Sequence, residues 1–228
     1  MKNFAPFQTA SVITAFFSLP AAQAVTLAAT NFDDTVKSAG SQTMTGIDWS
    51  GETLGQLTPS TSVTTVASNN AGYFTTGFGA TGFAPDQNIE NEGPWTATFE
   101  LTLSHTASAT LTSISFDYAA LNNGGGSQGA NFRPQNFDIT VNGVAFDSQK
   151  ETTAVNGDLT FTDSVAFSTG LNLVEITSSE VNGPGYNMGI DNLSFEGDVT
   201  VIPEPTVSGL VGLGLFVLAR RKRVINLR

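Results

Sequence analysis

The sequence predicts an all-β fold, a two-sheet jelly-roll β-sandwich of about eight strands, set between an N-terminal signal peptide and a C-terminal transmembrane helix. Three observations lead there. Apolar residues recur at every second position through the body, which places one face of each segment on a core and the other in water. Clusters of Gly, Asn, Asp and Ser interrupt these segments at the spacing expected of sandwiches. Seventeen Phe and abundant Thr suit pleated, half-buried surfaces, and no stretch of the body carries a helical stripe.

Taken in chain order, the first strand is VTLAATNF, beginning at Val25. The clearest one is GPWTATFELTLS, where Trp95, Ala97, Phe99, Leu101 and Leu103 alternate with Thr96, Thr98, Glu100 and Thr102. LTSISFDYAAL repeats the device with Ile114, Phe116 and Tyr118. QNFDITVNGVAFDSQ holds two runs around Asn142-Gly143, a two-residue signal for a type I′ hairpin. LTFTDSVAF, LNLVEITS and MGIDNLSFEG complete the strands. Two segments read as long loops, residues 80–94 with Asp86, Glu90 and Glu92, and the glycine-rich residues 122–136. The latter lacks the Lys and following helix of a phosphate cradle.

Charge and composition remove several functions. Between Val25 and Ile202 stand nineteen acids against three bases, Lys37, Arg133 and Lys150, for a net of −16. Nucleic-acid binding depends on Lys and Arg displacing counterions, so a nucleic-acid partner is excluded, whereas a divalent cation would be favoured. Cysteine is absent, which excludes thiol catalysis, cysteine zinc sites and disulfide support.

The two ends read differently from the body. Residues 1–24 form a signal peptide: Lys2, an apolar run from Thr9 to Leu19, Pro20, and then Ala22-Gln23-Ala24 as a small-x-small site for signal peptidase, with cleavage after Ala24. The body occupies 25–201. The tail, 202–228, contains Pro203-Glu204-Pro205, an apolar segment at 206–219, and a basic end at 220–228 that opens with Arg220, Arg221, Lys222 and Arg223. As a helix, 206–219 would span about 21 Å at 1.5 Å per residue. That is short of the roughly 30 Å hydrocarbon core, but basic side chains snorkel, extend the span and stay cytoplasmic. The body is then on the outer side of the inner membrane. Proline restricts its own φ and the residue before it, so Ile202 and Glu204 are held extended at the membrane surface.

This order of triplet, short glycine-containing apolar helix and terminal basic cluster, behind a signal peptide, resembles the PEP-CTERM sorting signal of Gram-negative bacteria. The resemblance covers about the last 27 residues. It implies recognition by an exosortase, a membrane enzyme with a Cys nucleophile that cuts near the triplet and passes the protein to the cell surface, in bacteria that make exopolysaccharide and biofilm. Ile202 stands where Val is more usual, and VINLR extends beyond the basic cluster.

For the body, GLNLVEITSSEVNGPGYNMGIDNLSFEG resembles the last two strands of jelly-roll carbohydrate-binding and galactose-binding-like modules, with Ile190-Asp191-Asn192 near their end. In that family an Asp at this place helps hold a structural calcium, which implies Asp191 as a ligand, with Asp33 or Asp34 near the first strand adding oxygens. Sugar binding requires exposed aromatic faces. Trp49 and Tyr186 are the candidates, with Tyr73, Phe74, Phe78 and Phe83 also in loop-like sequence.

The expected function is a non-enzymatic, exported and sorted surface protein, adhesive or associated with extracellular polysaccharide. The alternative is a calcium-stabilised carbohydrate-binding module. A glycoside hydrolase, needing two convergent carboxylates, is the third reading. The lone His105 is expected in a solvated turn.

Overall fold

The computed structural model describes residues 23–33, 43–44, 47–51, 55–65, 73–75, 82–84, 95–121, 134–181 and 187–202. The export segment through Ala22 and the tail from Pro203 lie outside the described residues, as do Asp34, Phe78 and Tyr186. The described residues contain no helix long and apolar enough to cross a membrane.

The strands are β1 (Gln23–Thr30), β2 (Thr43–Met44), β3 (Leu57–Thr65), β4 (Tyr73–Thr75), β5 (Gly82–Ala84), β6 (Trp95–Leu103) and β7 (Ala107–Leu121), followed by β8 (Gln135–Val141), β9 (Val144–Ala145), β10 (Lys150–Glu151), β11 (Asn156–Ala166), β12 (Gly170–Glu180) and β13 (Asn187–Val201). Eight of them have seven residues or more. One sheet runs β11-β7-β13-β5-β4, with β1 also on β13; the other runs β10-β8-β12-β6-β3-β2, with β9 on β8. From β6 onward the long strands β6, β7, β8, β11, β12 and β13 fall alternately in the two sheets, all pairs being antiparallel. This passage from sheet to sheet is the connectivity of a jelly roll.

The core lies between the sheets and is largely aromatic. Phe32, Phe83, Phe99, Phe116, Phe137, Phe146, Phe161 and Phe195 are all fully buried. Some of these rings meet edge to face, as Phe99 does with Phe195 at 5.9 Å and Phe116 with Phe137 at 5.1 Å, and others stack, as Phe116 does with Phe161 at 5.9 Å. β6 buries Trp95, Ala97, Phe99, Leu101 and Leu103, the alternation visible in the sequence. Asn142 and Gly143 have φ of 52° and 77°, so the expected type I′ turn joins β8 to β9.

Three short regions depart from the expectation. β3 contains Pro59, tolerated because it stands opposite Leu101 at a position whose main-chain N points away from β6, and the register slips between Pro59 and Val63. β4 and β5 form where loop was expected, and Phe83 is a core residue opposite Ile190, stacked on Phe32 at 5.5 Å. β13 continues to Val201 by way of Gly197, where any Cβ would run into the Thr110 carbonyl.

The two ends of the sandwich are unlike. At one end the connections are tight: Ser104–Thr106 between β6 and β7, Asn142–Gly143, and Phe167–Thr169 between β11 and β12. The start of β1 and the end of β13 are there too, since Gln23 pairs with Val199 and Val201 with Ala107. At the other end, segments 66–72, 85–94, 122–133 and 182–186 join strand ends brought level by the pairings of Thr65 with Ala97, Ser178 with Trp95, Glu180 with Gln135 and Asn187 with Leu121.

Candidate functional site

The end bearing the long connections also carries the most unusual polar chemistry of the described residues. Asp191 and Asn192 interrupt β13: Asn192 has φ 48°, and the register against β7 shifts between Asp191 and Ser194. This is a bulge. It directs the Asn192 N–H onto the Asp191 carboxylate at 2.7 Å and the Asn192 Nδ2 onto Asp117 at 2.8 Å. The Ile190-Asp191-Asn192 motif therefore has a local physical role, since an Asn tolerates the left-handed backbone the bulge requires.

Asp117 faces Asp191 across β7–β13 and faces Asp158 across β7–β11. Directly opposed residues share a face with Cβ atoms about 5 Å apart, so three carboxylates form a row across three strands. Asp33 adds a fourth negative charge from the segment after β1, where it accepts a 2.7 Å hydrogen bond from Asn31 Nδ2. Asp191 is 4% exposed. Burial, added to by the charges of Asp33 and Asp117 and opposed by the Asn192 N–H, pushes its carboxyl up to about 6. Sequence reasoning missed Asp117 and Asp158. Asp117 lies on the outward phase of SFDY, which looks like a solvated face until its neighbours are known.

Among the described residues no three His, Asp or Glu side chains converge closely enough to hold a metal ion. The calcium set expected from Asp33, Asp34 and Asp191 thus depends on Asp34, outside the described residues.

The aromatic candidates do not assemble a platform among the described residues. Trp49 is half-buried, its ring 6.1 Å from both Phe99 and Phe195, so its indole is engaged with the core rather than offered to a sugar. Phe83 is likewise interior. Tyr73 and Phe74 belong to β4, and Tyr186 lies outside the described residues. His105 is exposed in the β6–β7 turn, as expected.

A second feature missed in the sequence is Asn172, fully buried at the tight-turn end. Its Nδ2 donates to the carbonyls of Ser168 at 2.8 Å, Gly170 at 3.0 Å and Leu101 at 3.3 Å. Its Oδ1 accepts from Ser168 N–H at 2.9 Å and Asn142 Nδ2 at 3.0 Å. Two turns and an inner strand are tied by one amide.

The fold defines the class: an all-β, two-sheet sandwich module. No family model and no curated protein matches the chain. Among solved structures, it is similar to a family 35 carbohydrate-binding module from Clostridium thermocellum, with 14% identity over 61% of this chain and 90% of that one, TM-score 0.33. It is also similar to the CBM22-1 xylan-binding domain from Paenibacillus barcinonensis, with 12% identity over 78% and 94%, TM-score 0.35. A third, an exo-β-1,3-galactanase from Phanerochaete chrysosporium, has 11% identity over 55% of this chain and TM-score 0.31, and the chain spans 26% of that enzyme. No residue role and no ligand is carried over from these.

Proposed function

We propose that this chain is an exported, non-enzymatic surface protein whose sandwich binds extracellular polysaccharide, and that its tail holds it at the inner membrane until an exosortase cuts near Pro203-Glu204-Pro205. The tail pattern in the sequence supports the sorting part. The observation that carries the arrangement is the polarity of the sandwich. Ala24, the residue before the signal-peptidase bond, pairs with Asp198, and the triplet begins one residue after Ile202, so both processing points adjoin one end. The strand ends that the long, polar segments join, those before and after the glycine-rich 122–133 among them, lie at the opposite end, which faces away from the membrane.

A polysaccharide ligand fits that outward end better than a hydrolytic reaction does. Among the described residues, the one carboxyl raised toward a general acid's range, Asp191, is covered, and its nearest ladder partner sits beside it on the same sheet face. A glycosidase needs its pair across an open cleft. Calcium on Asp33, Asp34 and Asp191 is a subordinate proposal. Its support is the charge of three neighbouring carboxylates, which a divalent cation would neutralise.

The test is intact mass and terminal peptide sequencing of protein recovered from membrane and extracellular fractions, followed by co-sedimentation of the released form with the cell's own exopolysaccharide. A form beginning at Val25, ending between Pro203 and Pro205 and sedimenting with the polymer is expected. Retention of Arg220–Arg228 in cells possessing the sorting enzyme removes the sorting reading; a processed form that stays in the supernatant removes the polysaccharide reading.

A further inference from the structure

The large hydrophobic residues that stand exposed among the described residues are four: Val144 at 64%, Leu171 at 55%, Val201 at 47% and Ile202 at 50%. Scattered exposed hydrophobics are ordinary, but these are not scattered. Val144 follows the Asn142–Gly143 turn, Leu171 follows the turn into β12, and Val201 ends β13 with Ile202 just after it, the Ile202 N–H bonded to the Thr106 carbonyl of the β6–β7 turn. All four lie at the tight-turn end, two on each sheet. Leu171 points outward from the second residue of β12, and none of the four is at the end with the long connections.

Charge separates this end from the rest in the same sense. In a body of net −16, the described turn residues 104–106, 142–143 and 167–169 include no Asp or Glu. On β11 and β13 the nearest acids, Asp163 and Asp198, are set back from the strand ends by three residues. An apolar end whose described turns hold no acid, on an otherwise strongly acidic protein, suits the surface of an anionic bilayer, where the remaining faces would be repelled.

Chain length fixes how close that surface is. Only Pro203, Glu204 and Pro205 separate Ile202 from the apolar run that begins at Thr206. Three extended residues reach about 10 Å at most, little more than the headgroup layer on one side of the bilayer. While the tail is uncut, Val201 and Ile202 cannot leave the membrane surface, and the turns level with them are carried to it.

We propose that the tight-turn end of the sandwich is a lipid-contacting surface, on which Val144, Leu171, Val201 and Ile202 rest in the headgroup region of the bilayer and hold the domain upright until the tail is cut. This rests on the tail reading made above and adds to it a defined orientation. Contact at Val144 and Leu171, on the sheet that does not carry the tail, is what distinguishes a docked domain from one that merely dangles. Cutting the tail then removes the tether, and four side chains of this size give only weak, reversible lipid contact on their own, so release follows.

The absence of cysteine makes the test direct. Single cysteines at Val144→Cys and Leu171→Cys, at Glu151→Cys as an opposite-end reference and at Leu215→Cys in the tail carry an environment-sensitive fluorophore. The full chain with its tail is reconstituted in vesicles of phosphatidylethanolamine and phosphatidylglycerol, and quenching by nitroxide lipids is compared with quenching by aqueous iodide. Lipid quenching several-fold stronger at 144 and 171 than at 151 is expected, with 215 strongly quenched. The pair Val144→Ser and Leu171→Ser, both at exposed positions and so tolerable to the fold, is expected to lower lipid quenching several-fold for a label at Thr169→Cys, in the turn into β12 on the sheet that does not carry the tail, while 215 stays inserted. Labels at 144 and 171 as accessible to iodide as 151, with 215 inserted, overturn the docking and leave the tail reading standing; a label at 215 outside lipid overturns both. Shielding at 144 and 171 that appears only when the exosortase is added overturns a lipid surface in favour of the enzyme.

Discussion

Replacing Asn172 by Ala would remove a fully buried amide from the point where two turns meet an inner strand. Five partners lose a hydrogen bond. Four of them, the Ser168 N–H and carbonyl, the Gly170 carbonyl and the Asn142 amide, belong to surface turns that water reaches. The fifth, the carbonyl of fully buried Leu101, keeps its ladder partner in the Asn172 main chain but loses a second donor that water cannot replace. That buried loss costs about 1 kcal/mol, and each hydrated loss about 0.5 kcal/mol. The sum is about 3 kcal/mol, or roughly 9 °C in a domain of this size. Differential scanning calorimetry of the released protein gives the number. A fall below about 3 °C, the equivalent of roughly 1 kcal/mol, would refute the assignment of Asn172 as the tie.

Asn172→Asp sharpens the same experiment, because it keeps the shape and the Oδ1 acceptor but turns an oxygen toward three carbonyls. At neutral pH it is expected to be less stable than the Ala variant. Its carboxyl would have a folded pKa raised above the unfolded value, so stability is present at acid pH and lost as pH rises through the folded pKa. Recovery relative to Ala near pH 4 is therefore expected, and equal pH profiles for the two variants would show that the donor side of the amide does nothing.

Three other outcomes follow from named contacts. Gly197→Ala is expected to abolish soluble folding, since a Cβ there meets the Thr110 carbonyl in the most extensive strand pair of the sandwich; a soluble variant melting within a few degrees of the parent would sink this. Asp147, whose carboxyl is held down to about 2 by the N–H groups of Thr162 and Ser148 and then by Lys150, clips the β9–β10 segment to β11. Its contribution is present above its ordinary value of 3.8 and is lost as pH falls toward 2, and Asp147→Asn should flatten that limb of the melting-temperature profile. Chelation by EGTA is expected to lower the melting temperature, and Asp191→Asn to remove that calcium dependence; a parent protein indifferent to calcium eliminates the calcium proposal.

The sandwich was legible wherever alternation was long and turn chemistry explicit. β6 and the Asn142-Gly143 hairpin are dictated locally, by a period of two and by a dipeptide that accepts positive φ at both positions. β3 was not legible because Pro59 and the slipped register hide a strand that only its neighbour β6 completes. β4 and β5, three residues each, are too short to show a period. Phe83 was misplaced for that reason, and Trp49 because a ring in a connecting segment can fold inward onto Phe99 and Phe195 as readily as face solvent. Asp117 could not be tied to Asp191 from sequence because their proximity is a matter of cross-strand register, fixed over a separation of seventy-four residues.

LNLVEITS shows how much more its own phase could have told. Reading from the first Leu puts Leu171 and Leu173 on the core and Asn172 in water. Reading from the interior of the strand, where Val174 and Ile176 are fully buried and Glu175 faces out, reverses both: Asn172 must point in and Leu171 must point out. Strand pleat allows no compromise, because one step of phase moves every side chain to the other face. An inward Asn demands that its amide be satisfied, and the two turns at this end do so. An outward Leu beside them has no core to fill. The same reading applied to β13 keeps Val201 on the inward phase of Leu193, Phe195 and Val199, so its exposure comes from standing at the strand's last position, beyond the end of the core. The apparent errors of pattern, a polar residue inside and apolar ones exposed, fall together at the end where Val201 closes β13, and the membrane contact proposed for that end would give exposed Leu171 and Val201 surroundings consistent with the rest of the fold.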